Sequence, residues 1–194
     1  MMDAATLDQR IGARVRALRA TLGLTMEVLA ERSGVSRSMI SVIERGESSP
    51  TAALLEKLAS ALGVSLASLF DSPTPDRDPV ARRATQPQWR DPASGYLRRN
   101  VSPAGVTSPI QIVEVEFPAG ARVAFDTGVR DRRVYQQVWV LDGAIEVTVG
   151  DESHQLRTGD CFAFVLDRPT AFRNRTRKTA RYAVVIVGQP ETVR

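Results

Sequence analysis

From Thr6 to Phe70 the apolar residues recur at intervals of three and four. Leu7, Ile11, Val15, Leu18 and Leu22 form one stripe, and Leu54, Leu58, Ala61 and Leu62 another. Such stripes lie on one face of an α-helix, because about 3.6 residues complete each turn. Gly23, Gly34, Gly46 and Gly63 each stand where a helical run stops, as glycine does at helix C-termini. Thr25, Ser36 and Ser65 stand where runs begin and offer the oxygen that an N-cap needs. The spacing predicts five short helices, near residues 6–22, 25–32, 36–45, 51–62 and 65–70.

"DSPTPDRDP", residues 71–79, then brings three prolines and four charges with no aliphatic residue. Proline removes a backbone donor and bars helix continuation, so this stretch reads as a linker between domains. Beyond it the period changes to two. "IQIVEVEF" sets Ile110 and Ile112 against Gln111 and Glu114, and "VWVLDGAIEVTVG" reads as two strands joined in a hairpin at Asp142-Gly143. "CFAFVL", "TAFRN" and "RYAVVIVG" add further strands, and many short strands at near-regular spacing predict a sandwich or small barrel. The expected organisation is a helical domain over 1–70, a linker over 71–79 and an all-β domain over 80–194.

Composition narrows the chemistry more than the fold. With 43% hydrophobic and 25% charged residues, disorder and fibrous classes are excluded. No apolar run approaches the roughly 20 residues of a membrane span, and "MMDAATLDQR" lacks a secretion signal, so a cytoplasmic protein with no membrane partner is expected. The single cysteine, Cys161, rules out an intrachain disulfide and reads as a small buried apolar residue. The single histidine, His154, leaves little for metal or general-base chemistry and lies in "VGDESHQL", away from the other candidates. A net charge of +4 permits an anionic partner such as nucleic acid.

The stretch "TMEVLAERSGVSRSMISVIERG" is where that partner becomes specific. If Leu29, Ala30, Val35, Ile40 and Ile43 face inward and Gly34 turns the corner, two helices meet steeply, as in a helix-turn-helix. The second of them then turns Arg37, Ser38, Ser41, Val42 and Arg45 outward. Arginine can fork onto guanine, serine can donate or accept, and valine can meet a thymine methyl in the major groove. The longer run "LGLTMEVLAERSGVSRSMISVIERGESSPTAALLEKLASALGVSLASLF" resembles the phage-repressor-like, or XRE, family of DNA-binding domains. The resemblance implies base-reading positions at Arg37, Ser38, Ser41 and Val42 and positions near phosphates at Thr25, Ser36 and Arg45. Met26 departs from it: the family often has glutamine there, and a thioether cannot make that polar contact.

In the second half, "VWVLDGAIEVTVG", "LRTGD" and "RPTAFRN" resemble a cupin, the small double-stranded β-helix with a jelly-roll-like barrel. Laying the family's two motifs on Gly143 and Gly159 implies Gln136 in the glutamate slot, Thr170 in the histidine slot and Asn174 at the closing asparagine, with no counterpart for the His-x-His element. Amide and hydroxyl oxygens are poor transition-metal ligands, so no metal and no cofactor are expected. Gln136 and Thr170 would point into the mouth, and Arg130, Arg132, Arg133, Tyr135 and Trp139 are further candidates for its lining. An arginine there would favour a carboxylate or phosphate on the ligand.

An XRE-type domain fused to a cupin resembles a class of bacterial transcriptional regulators. The resemblance implies a regulator, more often a repressor than an activator, that binds double-stranded operator DNA as a homodimer and senses a small organic effector without being an enzyme. Two alternatives stay open on the sequence: a cupin isomerase or oxygenase tethered to DNA, and an antitoxin-like autoregulator whose barrel binds a protein.

Overall fold

The structure, a computed structural model, describes residues 7–70, 78–104, 106, 108–126 and 133–188. Four α-helices come first: α1 (Leu7–Thr21), α2 (Met26–Ser33), α3 (Arg37–Glu44) and α4 (Ala52–Ala61). Their starts are set by the expected chemistry, since the Thr25 and Ser36 hydroxyls accept from the amides of Val28 and Met39, and the Thr51 hydroxyl from that of Leu54. Gly34 ends α2 at φ 65°, a left-handed conformation that suits glycine, with its amide donating to the Ala30 carbonyl at 2.9 Å. The expected fifth helix is instead a 3-10 turn over Leu66–Phe70. Five residues are too few for a run of α-type bonds, and the Ser68 amide takes the Ser65 carbonyl three residues back.

The apolar stripes pack as spaced: Ile11, Val15, Leu29, Ile40, Ile43 and Leu58 are fully buried. Leu22, at the end of the first stripe, is half exposed. α1 crosses α3 at Gly12, where a Cβ would lie 2.1 Å from the Ile43 carbonyl oxygen, so only hydrogen fits at this contact. The crossing is completed by Arg19 of α1, which donates from Nε and Nη2 to the two Glu44 carboxylate oxygens at 2.6 and 2.8 Å. Arg19 is therefore a structural ion pair with only 15% of its side chain exposed.

Ten strands follow, β1 (Gln88–Arg90), β2 (Leu97–Asn100), β3 (Ile110–Phe117), β4 (Arg122–Phe125), β5 (Val134–Asp142), β6 (Ala144–Val149), β7 (Glu152–Arg157), β8 (Cys161–Val165), β9 (Thr170–Arg173) and β10 (Ala180–Gly188). They form two antiparallel sheets, ordered β1-β2-β3-β10-β5-β8 and β4-β9-β6-β7. Inner residues such as Val113, Val115, Phe117, Val138 and Val140 of the first sheet face Ile145, Val147, Val149 and Phe172 of the second.

Two strand expectations are corrected. Asp142-Gly143 closes no hairpin: β5 pairs with β10 and β8, whereas β6 pairs with β7 and β9, so the chain changes sheets at Gly143. In β3 the inward set is Val113, Val115 and Phe117, while Ile110 and Ile112 lie on the outer face.

The helical and β parts meet through named contacts. The backbone amide of Ala52, in the first turn of α4, donates to the buried Asp91 carboxylate at 2.8 Å, and the Asn100 side-chain Nδ2 donates to the Ala67 carbonyl at 3.4 Å. Ser65 donates to the Gln111 side-chain carbonyl. The Phe70 ring touches Trp89 at 5.5 Å, and the aromatic series continues through Tyr96 and Phe117 to Tyr182 with centroids 5.9 to 6.1 Å apart.

Candidate functional site

The outer face of α3 follows from its inner one. Ile40, Ile43 and Glu44 are buried, and at about 100° per residue this leaves Arg37 and Ser38 exposed and Ser41 and Val42 half-buried on the opposite side. Arg37 reaches back to Glu27 of α2, Nη1 to Oε1 3.0 Å, with both side chains more than half exposed. Such an exposed pair contributes little and yields easily to a phosphate or a base edge. The Ser36 and Ser38 hydroxyls lie 3.1 Å apart. Arg45 donates to Glu47 at 2.8 and 2.7 Å and also to the Ser41 hydroxyl. Those bonds hold the Glu47 carboxyl below the usual carboxylate range. Thr25, exposed at the start of α2, accepts from the Val28 amide as the cap and donates its hydroxyl proton to the Glu27 carboxylate. Met26 is half-buried against the core, so the thioether that replaces a polar residue here serves packing.

The second arrangement is a cavity of about 60 Å³ between the two sheets. Its wall is mostly aliphatic and aromatic, with Arg98, Tyr96, Gln136 and Thr170 from the β part and Glu56 and Ser65 from the helical part as polar members. Thr170, 3% exposed, holds its Oγ1 there with no hydrogen-bond partner. Arg98 lies over the Phe70 ring at 5.4 Å. Burial pushes the Tyr96 phenol up to about 12, so it stays neutral at working pH.

Of the residues expected to line this space, Gln136 and Thr170 do so. Tyr135 and Trp139 do not: strand alternation places Gln136, Val138 and Val140 inward, and sends Tyr135 and Trp139 to the outer face, 40% and 50% exposed. Arg133 is exposed just before β5 and does not line the cavity, while Arg130 and Arg132 lie outside the described residues. Cys161 is exposed on the edge strand β8 rather than buried. Sequence reasoning missed Arg98, Tyr96 and Glu56. The run "LRRN" between apolar neighbours carried one signal, because adjacent strand residues face opposite ways and one of two consecutive arginines must turn inward.

The donor set does not fit the metal of the cupin fold. The motif positions hold an amide and a hydroxyl, and no group of three His, Cys, Asp or Glu side chains comes together among the described residues. His154 lies on β7 with its ring 4.3 Å from Phe162.

A capped helix pair with a polar exposed second helix, ahead of a sheet pair enclosing a small cavity, defines a DNA-binding module joined to a β domain. A helix-turn-helix family model matches residues 15–69 and a cupin-domain model residues 114–187. HTH-type transcriptional regulator SutR of Escherichia coli K12 is 26% identical over 181 residues, covering 93% of this chain and 96% of that one. HTH-type transcriptional regulator PuuR of the same organism is 25% identical, covering 88% and 90%. The uncharacterized HTH-type transcriptional regulator y4dJ of Sinorhizobium fredii is 42% identical over 79 residues, 40% of this chain and all of that one. The crystal structure of an HTH_3 family transcriptional regulator from Vibrio cholerae superposes with a TM-score of 0.76 at 25% identity, over 95% of this chain and 98% of that one. The chain belongs to the HTH-type transcriptional regulators and carries a cupin domain behind its DNA-binding helices.

No helix among the described residues is long and apolar enough to cross a membrane.

Proposed function

We propose that this regulator is a non-enzymatic, cytoplasmic repressor. In this reading residues 1–70 bind operator DNA, 71–79 link, and 80–194 form a cupin barrel that holds a small organic effector and pairs two copies. The exposed polar face of α3, opposite a fully buried Ile40 and Ile43, carries the DNA reading. Arg37, Ser38, Ser41 and Val42 meet base edges, and Thr25, Ser36 and Arg45 meet phosphates, the latter after Arg45 exchanges Glu47 for the DNA backbone. Occupancy of a promoter excludes polymerase, which is why repression is the default output. Gln136, Thr170 and the apolar cavity wall support the effector site; Arg133, Tyr135 and Trp139 drop out of it by position.

Arg37→Ala tests the reader. Binding to the cognate site should weaken by about 1 to 3 kcal/mol with little change on scrambled DNA. Equal weakening on both sequences would make Arg37 a phosphate contact, and no weakening would remove it from the interface.

The outer face of the larger sheet supports pairing. Tyr135, Val187 and Ile110 stand in one register row, and Trp139 lies beside Ala183 and Cys161 in another, so apolar side chains cover the middle of the sheet. A two-fold pairing there would set two α3 helices on half-sites about one DNA turn apart. Trp139→Glu should weaken dimerisation at least about tenfold, read by sedimentation equilibrium. A wild-type chain that sediments as a monomer with and without DNA would end the paired-half-site mechanism.

A further inference from the structure

We propose that the cavity between the sheets takes a small uncharged molecule with an apolar body and one hydrogen-bonding end, held by the Thr170 hydroxyl and the Gln136 amide. The inference rests on the reading of the cupin domain as an effector site and names the ligand class.

The anchor is a polar group with nothing to bond. Thr170 Oγ1 is buried in the cavity wall and has no hydrogen-bond partner among the described residues. A buried hydroxyl left unpaired costs free energy, and here it keeps both a donor and an acceptor for an occupant. Strand register sets it in apolar surroundings. In the smaller sheet Thr170 stands between Phe125 of β4 and Val149 of β6, and in the larger sheet Gln136 stands between Ile186 of β10 and Phe164 of β8. Gln136 and Thr170 therefore bring two neutral hydrogen-bonding groups from opposite sheets into one largely hydrocarbon space.

The same wall selects against an ion. Its charged members are already engaged within the protein: Arg98 bonds the Tyr96 phenol and lies over the Phe70 ring, and Glu56 has its own partner. A charged ligand would give up its water to aliphatic and aromatic carbon with no counter-charge left to compensate it. The surroundings that keep the Tyr96 and Tyr182 phenols neutral would penalise a carboxylate in the same way. A neutral molecule avoids that cost and satisfies the Thr170 hydroxyl. At 10 to 15 Å³ for each water-sized position, about 60 Å³ takes roughly four to six of them, which suits a molecule of about that many non-hydrogen atoms.

The wall also reaches the helical part. Ser65 and Leu66, at the start of the 3-10 turn, line the cavity, and the turn packs on α1 and α4. An occupant thus touches both parts of the chain. By linkage, any change it makes in operator affinity is matched by an equal change that DNA makes in ligand affinity.

Calorimetry on the full chain with isobutyramide, isobutyrate and isobutylammonium, three molecules of closely similar shape, separates the cases. Isobutyramide is expected to bind at least about tenfold tighter than either ion. Thr170→Val should weaken the amide at least about tenfold while the thermal midpoint of the free chain stays level or rises, because the hydroxyl it removes bonds nothing there. The comparison of the three molecules needs no variant, so a Thr170→Val chain that fails to fold does not shelter the proposal. Either ion binding as tightly as the amide, or undiminished amide binding in Thr170→Val, would overturn the ligand class and keep the sensor reading. No binding by any of the three, nor by a wider metabolite panel, would overturn both.

Discussion

Glu44→Ala is expected to cost about 3 to 5 kcal/mol of folding stability, most of what a helical unit of this size has. The Glu44 side chain is 3% exposed and takes both hydrogen bonds of the Arg19 fork, while Arg19 Nη1 donates to the Leu24 carbonyl at 3.0 Å. The pair therefore joins α1, the turn before α2 and the end of α3. Removing the carboxylate strands a guanidinium that cannot lose its charge, in a site with little water. The strong effect measures the stranded charge more than the net worth of the pair, and Glu44→Gln, which keeps one acceptor, should fall in between. Urea unfolding followed by far-UV circular dichroism checks this, with operator binding lost in parallel. A loss below about 1 kcal/mol would show the pair to be an ordinary surface contact.

Asn174→Ala is the second large loss, about 3 kcal/mol, and it falls on the β part. This side chain is fully buried with all its capacity used. Nδ2 donates to the carbonyls of Phe117 and Lys178 at 3.0 and 2.8 Å, and Oδ1 accepts from the amide and hydroxyl of Thr176 at 2.9 and 2.8 Å. Alanine would leave several of these groups buried and unpaired, each costing about 1 to 3 kcal/mol before relaxation. Thermal melting is the measurement, and a midpoint unchanged within a degree would show that water replaces the amide. The cupin motif thus divides. Its asparagine closes a turn and is kept here on structural grounds, whereas its histidine slot holds Thr170, whose hydroxyl serves no such bond.

The helical half was legible because its information is local. A cap, an apolar spacing and a left-handed glycine act within a few residues, so Ser36, Ile40, Ile43 and Gly34 announced α3 and its exposed face directly. The fifth helix failed only in type, since five residues sustain a 3-10 turn and no more. In the β half, period-two alternation located several strands but not their partners. Asp142-Gly143 has the composition of a hairpin turn, yet it serves a change of sheet, and no local signal separates the two.

By itself, then, the sequence determined the two-part organisation, the DNA-binding helix pair and the loss of metal-type donors at Gln136 and Thr170. Only the tertiary structure decided that Tyr135 and Trp139 face outward, that Arg19 is an internal ion pair, and that Glu56 and Arg98 share one cavity. These depend on strand parity and on contacts between residues far apart in the chain, 25 positions for Arg19 and Glu44. Such contacts are fixed when whole elements pack, and no periodicity within one element encodes them.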